Sequence, residues 1–526
     1  MSVENRYLNF AIFLCIFYLT RNKSISSTFK FYLSFFGCIF WFFNILIWFF
    51  LLLFCKVFKY KQAIMNNTKP KIRLSPFFLV MLSFVIIILL GSFLLTLPFA
   101  NKDGNWGSYI DALFLATSGT CVTGLVSYAD GVSNHLTFFG QLVLIICVQI
   151  GGLGFFTIFA FIVTLFKRKI AFKNRYTLTQ AVGGENMNKV KTFIRKIILI
   201  TVTFELIGFG LTLPVFYPVV ADKGEAIWLS IFHSISAYNN AGFDLFGNVS
   251  LIYGTGNSVL DAVTPFWYNY FLFITMFLII AGGISFLTVI DVFNFRKKPK
   301  QWRAFTKIAL ITSFSLIIIG WATFLLTDSI KSQYAMTPLD ALFHSVSLRT
   351  AGFSSYDQSH LSFQGRIFSC LFMFIGGAPL STAGGVKVTT IFIVALSIVQ
   401  YLRNKPLVCF NRHFSNKTVF KSMTLIFIAL MTVLVAFGVI SGLEVNNPTI
   451  VDSSDILFEC FSAFGTVGNS VGITSSLSVG SKITIIFLMF IGRLGPITFF
   501  QLFENNTVTQ SEKTSLRYIE EDVSIG

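Results

Sequence analysis

Charge is scarce in this chain of 526 residues: only 12% are Asp, Glu, Lys or Arg, about half the share found in soluble domains. That shortage, beside 54% hydrophobic residues, excludes an ordinary soluble globular protein and points to an integral membrane protein. Acids are scarcer than bases, 23 against 40, which gives a net charge of +17. The bases do not form a nucleic-acid face. They gather in a few linkers between apolar spans: Lys167, Arg168, Lys169, Lys173 and Arg175; Arg296, Lys297, Lys298, Lys300 and Arg303; Arg403, Lys405, Arg412, Lys417 and Lys421. Acids such as Asp222, Glu225, Glu444 and Asp455 lie in other connections. Positive charge stays on the cytoplasmic side, so the basic linkers face inward and the remaining loops outward.

Other absences narrow the chemistry. The eight cysteines include no CxxC pair, which argues against both a disulfide framework and a metal site. The chain lacks a Walker A loop, HExxH, a GxSxG with partner residues, and a dinucleotide fingerprint after a strand, so no enzyme is expected. Any nucleotide control belongs to another chain.

What the sequence does contain is a fourfold repeat. ALFLATSGTCVTGL (residues 112–125), SIFHSISAYNNAGF (230–243), ALFHSVSLRTAGF (341–353) and ILFECFSAFGTVGNSVGI (456–473) each lie between two long apolar segments. The middle segments are too short to cross an apolar core of ~30 Å, which takes roughly 20 residues. Non-helical backbone at membrane depth survives only inside protein or beside water, so four such pieces predict one central aqueous path. The expected architecture is all-α: outer helix, re-entrant pore helix with loop, and inner helix, four times. The boundaries are 76–175, 176–297, 298–403 and 404–503. An extension (1–75) with apolar runs at 7–20 and 29–57 precedes them, and a polar tail (504–526) follows.

The loops read Thr120-Cys121-Val122-Thr123-Gly124, Asn239-Asn240-Ala241-Gly242, Arg349-Thr350-Ala351-Gly352 and Asn469-Ser470-Val471-Gly472. A ring of backbone carbonyls that replaces an ion's hydration shell needs glycine where a Cβ would obstruct it. A single glycine loop would suit close helix packing equally well. Four at equivalent places favour a filter.

Beyond the loops stand QIGGLGF (149–155), AGGISF (281–286), IGGAPLSTAGGVKVTT (375–390) and IGRLGPITF (491–499). With the four loops, these motifs resemble the TrkH/TrkG/KtrB group of potassium transporters, related to fungal Trk and plant HKT proteins, over residues 76 to about 503. The resemblance implies a pseudo-fourfold K⁺ pore in the cell membrane, with one filter glycine per repeat: Gly124, Gly242, Gly352 and Gly472. In the fourth loop Gly465 and Gly468 are also available, and the family's final Ser-x-Gly favours Gly472. It implies a homodimer in lipid and a cytoplasmic ring of nucleotide-binding, RCK-type regulatory subunits, K⁺ being cargo with no other cofactor. Relatives with serine at the first filter position commonly pass sodium; the glycine here favours potassium. A Na⁺-permeable or Na⁺/H⁺-coupled transporter of the same architecture stays open, as does, further off, an organic-solute transporter. Such a transporter would show two interruptions in inverted halves rather than four parallel ones.

The run Gly376-Gly377-Ala378-Pro379-Leu380-Ser381-Thr382-Ala383-Gly384-Gly385 cannot continue a helix. It reads as a static kink or, as the resemblance implies, an intramembrane gate below the filter. Arg493 lies among apolar residues and must face water or a partner. Either it braces repeats together, or it places positive charge under the filter. Lys387 either supports the gate or snorkels to the interface. Arg349 is expected to be paired behind its loop, Glu205 to be a structural hydrogen-bond partner, and His233 and His344 to pack behind the filter without metal.

Overall fold

The computed structural model describes residues 76–154, 190–247, 259–295, 298–330, 335–448 and 452–495. The extension 1–75, the linker 167–175, Arg296, Lys297 and the tail 504–526 lie outside the described residues.

Repeat one comprises α1 (Pro76–Thr96), α2 (Tyr109–Cys121) and α3 (Phe138–Leu153); repeat two comprises α4 (Val190–Phe216), α5 (Lys223–Asn239), α6 (Pro265–Gly283) and α7 (Phe286–Asn294). Repeat three has α8 (Ala304–Phe324), α9 (Pro338–Ser347), α10 (Phe363–Phe374) and α11 (Val388–Leu402). Repeat four has α12 (Asn416–Leu443), α13 (Ser453–Gly465) and α14 (Val479–Leu494). A two-strand hairpin, β1 (Val408–Cys409) with β2 (Arg412–His413), joins the last two repeats. The order of elements is the expected one.

Among the described residues, four helical stretches are long and apolar enough to cross a membrane: Ile194–Phe216, Pro265–Gly283, Ala304–Ser329 and Asn416–Leu443. Their outward faces remain apolar, with Leu199 and Leu206 on α4, Phe314 and Ile318 on α8, and Phe427 on α12 all exposed. In water such surface is unfavourable; in lipid it is solvated. The structure breaks the second inner segment after Gly283, where Ser285 caps α7 by accepting from the Leu287 N–H at 3.3 Å. It breaks the third from Ile375 to Lys387.

The pore helices form the centre of the bundle. Phe114, Phe232, Phe343 and Phe458 stand at one equivalent position and are fully buried. Each pore helix starts with an acidic residue in its first turn (Asp111, Glu225, Asp340, Asp455), where the helix dipole favours negative charge.

Three of the inner helices also tie their repeat to the next through one equivalent position. The fourth residue of α3, α6, α10 and α14 is Gln141, Tyr268, Arg366 and Lys482 respectively. Gln141 accepts from the Trp228 indole of α5 at 2.8 Å. Arg366 pairs with Asp455 of α13 at 2.5 Å, and Lys482 pairs with Asp111 of α2 at 2.8 Å. The last pair closes the circle between the fourth repeat and the first.

Candidate functional site: a four-glycine ring and the loop beneath it

Each pore helix ends in a left-handed residue, followed by one residue and then a glycine. The left-handed residues are Val122, Asn240, Thr350 and Thr466, with φ of 58°, 59°, 74° and 51°. Three of them are β-branched, for which positive φ is strained by about 1 to 3 kcal/mol each. Such strain persists only where the surroundings enforce it. Here the turn bonds enforce it: Thr123, Ala241 and Val467 donate their N–H groups to Ser118, Ser236 and Ser462 carbonyls at 2.8 to 2.9 Å. The same serines cap the loops by side chain. Gly124 N–H and Gly468 N–H donate to Ser118 and Ser462 hydroxyls at 3.1 Å, and Phe243 N–H donates to Ser236 at 3.0 Å. In repeat three the turn is one residue tighter, with Ala351 N–H bonding Ser347 O at 2.9 Å.

The glycines that follow close a ring. A Cβ added to Gly124 would meet Ala241 O at 2.5 Å, and one on Gly242 would meet Ala351 O at 2.6 Å. One on Gly352 would run into Val467 O, and one on Gly468 into Thr123 O. Each glycine therefore abuts the carbonyl preceding the next glycine. All four have positive φ, from 71° to 101°.

The fourth member is Gly468, which corrects the register read from the sequence. Gly472 lies four residues farther along, is exposed, and has open space where a Cβ would go. Asn469, Ser470, Val471 and Gly472 instead line a vestibule of about 420 Å³ outside the ring, with Asp244 and Asp357 in its wall. Internal spacing singles out Gly468 among the three available glycines: Ser462 precedes it by the same six residues that separate Ser118 from Gly124 and Ser236 from Gly242.

Other predicted residues stand behind the ring. Thr120 and Cys121 are buried in the last turn of α2, and the Thr120 carbonyl lies against Gly151 of α3 so closely that a Cβ there could not fit. Gly282 and Gly492 make the same approach to Tyr238 O and Phe464 O. Asn239 donates to Gln149 at 2.9 Å and to Glu205 at 3.1 Å, so Glu205 is a hydrogen-bond partner behind loop two. Arg349 is buried and donates to the Ser313 carbonyl at 2.8 Å and its hydroxyl at 3.1 Å, which anchors loop three to α8. His233 and His344 bond Thr275 and Ser369 at 2.9 and 3.1 Å. Among the described residues there is no cluster that could hold a metal ion.

Below the ring, the run from Gly376 to Gly385 leaves the helix and crosses to neighbouring repeats. Ala378 N–H donates to Gly283 O at 3.1 Å, Thr382 Oγ1 to Gly282 O at 3.0 Å, and Phe286 N–H to Leu380 O at 3.0 Å. These bonds fasten the loop to the break between α6 and α7. Gly376 N–H donates to Val386 O at 2.9 Å, and Ser381 donates to Ala378 O at 2.7 Å. A Cβ on Gly377 would strike the Ala383 methyl, and one on Gly384 the Thr466 side chain, directly under ring residue Gly468. Gly385 adopts φ of 61°. Pro379 and Leu380 form the turn of the loop, Leu380 with φ of 58°. Lys387 bends onto the loop's own carbonyls, Ala383 at 2.6 Å and Gly384 at 3.1 Å, rather than snorkelling. Arg493 donates to Thr382 O in the loop and to Gly151 O in α3, a cation shared between three repeats.

The family model for TrkH, described as a cation transport protein, matches residues 49–509. The chain belongs to the TrkH family. Similar family members include the potassium/sodium uptake protein NtpJ of Enterococcus hirae, 35% identical over 460 residues, which span 86% of this chain and 98% of that protein. The Ktr system potassium uptake protein B of Bacillus subtilis is 33% identical over 463 residues, with the same coverage of 86% and 98%. Among solved structures, the potassium transporter TrkH from Vibrio parahaemolyticus superposes with a TM-score of 0.62 over 87% of this chain and 90% of that one. At 18% identity, that likeness speaks for the fold alone. TrkH-family membership makes this chain a multi-pass membrane protein that transports cations and is not an enzyme.

Proposed function

We propose that the chain takes up K⁺ through the four-glycine ring. The observation that carries this reading is the closure of the ring: four carbonyl-bearing turns, one per repeat, meet glycine to carbonyl around a single axis. Backbone carbonyls in that arrangement can take the place of the water around an alkali cation. Four pore-helix C-termini aim at the same place, each carrying about half a negative charge, which favours a cation and repels anions. The vestibule, with Asp244 and Asp357, gathers cations outside. Membrane potential adds about 2.3 kcal/mol per charge per 100 mV to inward movement.

Beneath the ring, the Gly376–Gly385 loop is the gate. Its hydrogen bonds to Gly282 and Gly283 hold it across the pathway, and Arg493 contributes both an anchor and a positive barrier. Ion flow requires that these bonds give way. The similar Bacillus protein is named as one part of a Ktr system, which supports a partner subunit here too; that the partner is a cytoplasmic nucleotide-binding ring and that the chain works as a homodimer are part of the proposal, carried by the family resemblance alone. The Enterococcus relative is named for both potassium and sodium, which gives a second reading in which Na⁺ also passes.

Uptake of K⁺, Rb⁺ and Na⁺ by a bacterial host without its own potassium uptake systems decides between them. Saturable K⁺ and Rb⁺ uptake with Na⁺ excluded supports the first reading. Equal Na⁺ uptake supports the second, and absence of all three in cells that also carry the regulatory partner overturns both.

A further inference from the structure

At the pore-helix position nine residues before the ring glycine, repeats one and two carry Leu115 and His233, and repeat three carries His344 one residue closer. Repeat four alone carries an acid, Glu459, which is 1% exposed. The two histidines turn back to hydroxyls on their own inner helices. Glu459 turns outward instead, to the segment that follows Gly468. Its Oε1 accepts from Ser470, its Oε2 lies 3.1 Å from the Thr474 hydroxyl, and the Val471 N–H also reaches the carboxyl. Ser470 and Thr474 are 2.9 Å from each other, and the Gly472 N–H donates to Ser470 at 2.9 Å. Residues 468 to 472, Thr474 and Ser475 make one wall of the vestibule, a larger share than any other repeat contributes.

We infer that Glu459 is the positioning residue of the outer mouth: through Ser470 and Thr474 it holds the wall past which K⁺ reaches Gly468. The inference rests on the ring being the filter. Counting protons defines the working state. Glu459, Ser470 and Thr474 form a triangle of three close contacts. Two hydroxyls supply two hydrogens, so an ionised carboxylate leaves one side of the triangle as two oxygens facing each other without a proton. A protonated carboxyl supplies the third hydrogen and closes the cycle, with the Gly472 N–H using the second lone pair of Ser470.

The charged groups around Glu459 are few. Asp455, one turn earlier on α13, is bound to Arg366, the one charged residue of α10. On α14, Lys482 is bound to Asp111, and Arg493 to carbonyls below the ring. On α12, Lys417 and Lys421 lie at the end near the basic hairpin. No unpaired cation on these elements stands ready to keep the carboxylate ionised.

The test is the kinetics of K⁺ uptake by the full chain in potassium-uptake-deficient cells, with Gly468→Ser run in parallel for its K⁺/Na⁺ ratio. Glu459→Ala and Ser470→Ala are expected to raise KM for K⁺ about fivefold, as for a lost hydrogen-bonded anchor, with maximal rate within about twofold. A rise in KM at alkaline external pH is expected of the wild type, and Glu459→Gln, which keeps one donor and one acceptor, is expected to retain the wild-type KM at neutral pH and to lose that rise. If Glu459→Ala does not reach the membrane, Ser470→Ala and Thr474→Val carry the comparison. Unchanged KM in these variants, beside an altered ratio in Gly468→Ser, overturns the positioning role and leaves the filter standing. A Glu459→Gln variant as impaired as Glu459→Ala overturns the protonated bridge. An unchanged ratio in Gly468→Ser means that the filter reading has failed, and the inference falls with it.

Discussion

Repeats one and three share one backbone geometry at the ring and differ beneath it. In both, a pore helix ends in a strained left-handed residue and a glycine of positive φ, at Val122–Gly124 and Thr350–Gly352. In repeat one, α3 runs past the ring without interruption to Gly154. In repeat three, α10 stops at Phe374 and α11 resumes at Val388, leaving thirteen residues to cross under the ring. Symmetry is kept where an ion would be coordinated and given up where flow would be controlled. The same backbone cannot serve both purposes, because a carbonyl ring must not move and a gate must.

The sharpest way to break this comparison is at the ring. Gly468→Ser puts a side chain where Thr123 O lies, at φ of 97°. It is expected to lower the K⁺/Na⁺ uptake ratio by about tenfold or more, equivalent to about 1.4 kcal/mol of discrimination. Gly472→Ser, in open space, is expected to leave the ratio unchanged, and isotope uptake distinguishes the two registers. Beneath the ring, Arg493→Gln removes charged bonds to Thr382 and Gly151, loosening the loop by about 1.5 to 3 kcal/mol. Partner-independent Rb⁺ leak should rise several-fold, and an unchanged leak would show that the arginine is not part of the barrier.

The braces between repeats give smaller effects. Asp111→Asn leaves Lys482, only 11% exposed, without its partner. Thermal stability in detergent should fall by about 1 to 3 kcal/mol, with recovery in the Asp111→Lys, Lys482→Asp double variant. Trp228→Phe loses one neutral hydrogen bond to Gln141 and should cost only about 1 kcal/mol by the same assay. A larger loss there would mean that the neutral brace matters as much as the charged one.

Most of the architecture was legible because the lipid imposes it. Apolar length marks the outer helices, and the four short polar-bearing segments have no alternative to lining an enclosed path. Glycine at ring positions was legible for the same steric reason. The fourth register is ambiguous in the sequence because Gly465, Gly468 and Gly472 all satisfy the requirement for a glycine. The serine six residues upstream distinguishes them, since it caps the turn. The break after Gly283 is a different case. Gly282, Gly283 and Ser285 permit a break but do not require one, and it opens where the third-repeat loop takes the Gly282 and Gly283 carbonyls. Nothing local in repeat two announces a partner about a hundred residues away. The π-helical turn at Leu325–Ser329 was equally silent; Asp328 there accepts the Ser362 N–H at 2.8 Å.

The clasp between Lys482 and Asp111 spans 371 residues of chain. During synthesis, Asp111 is in the membrane long before its lysine has been made. Three of the four junctions around the axis are backed by continuous polypeptide, while this one is made only by non-covalent contacts: the clasp, the Arg493 bond to Gly151 O, and Gly468 against Thr123 O. Until the fourth repeat has been made, Thr123 O lacks the Gly468 that it abuts in the finished ring. The ring is closed in a single step, when the last quarter of the chain arrives.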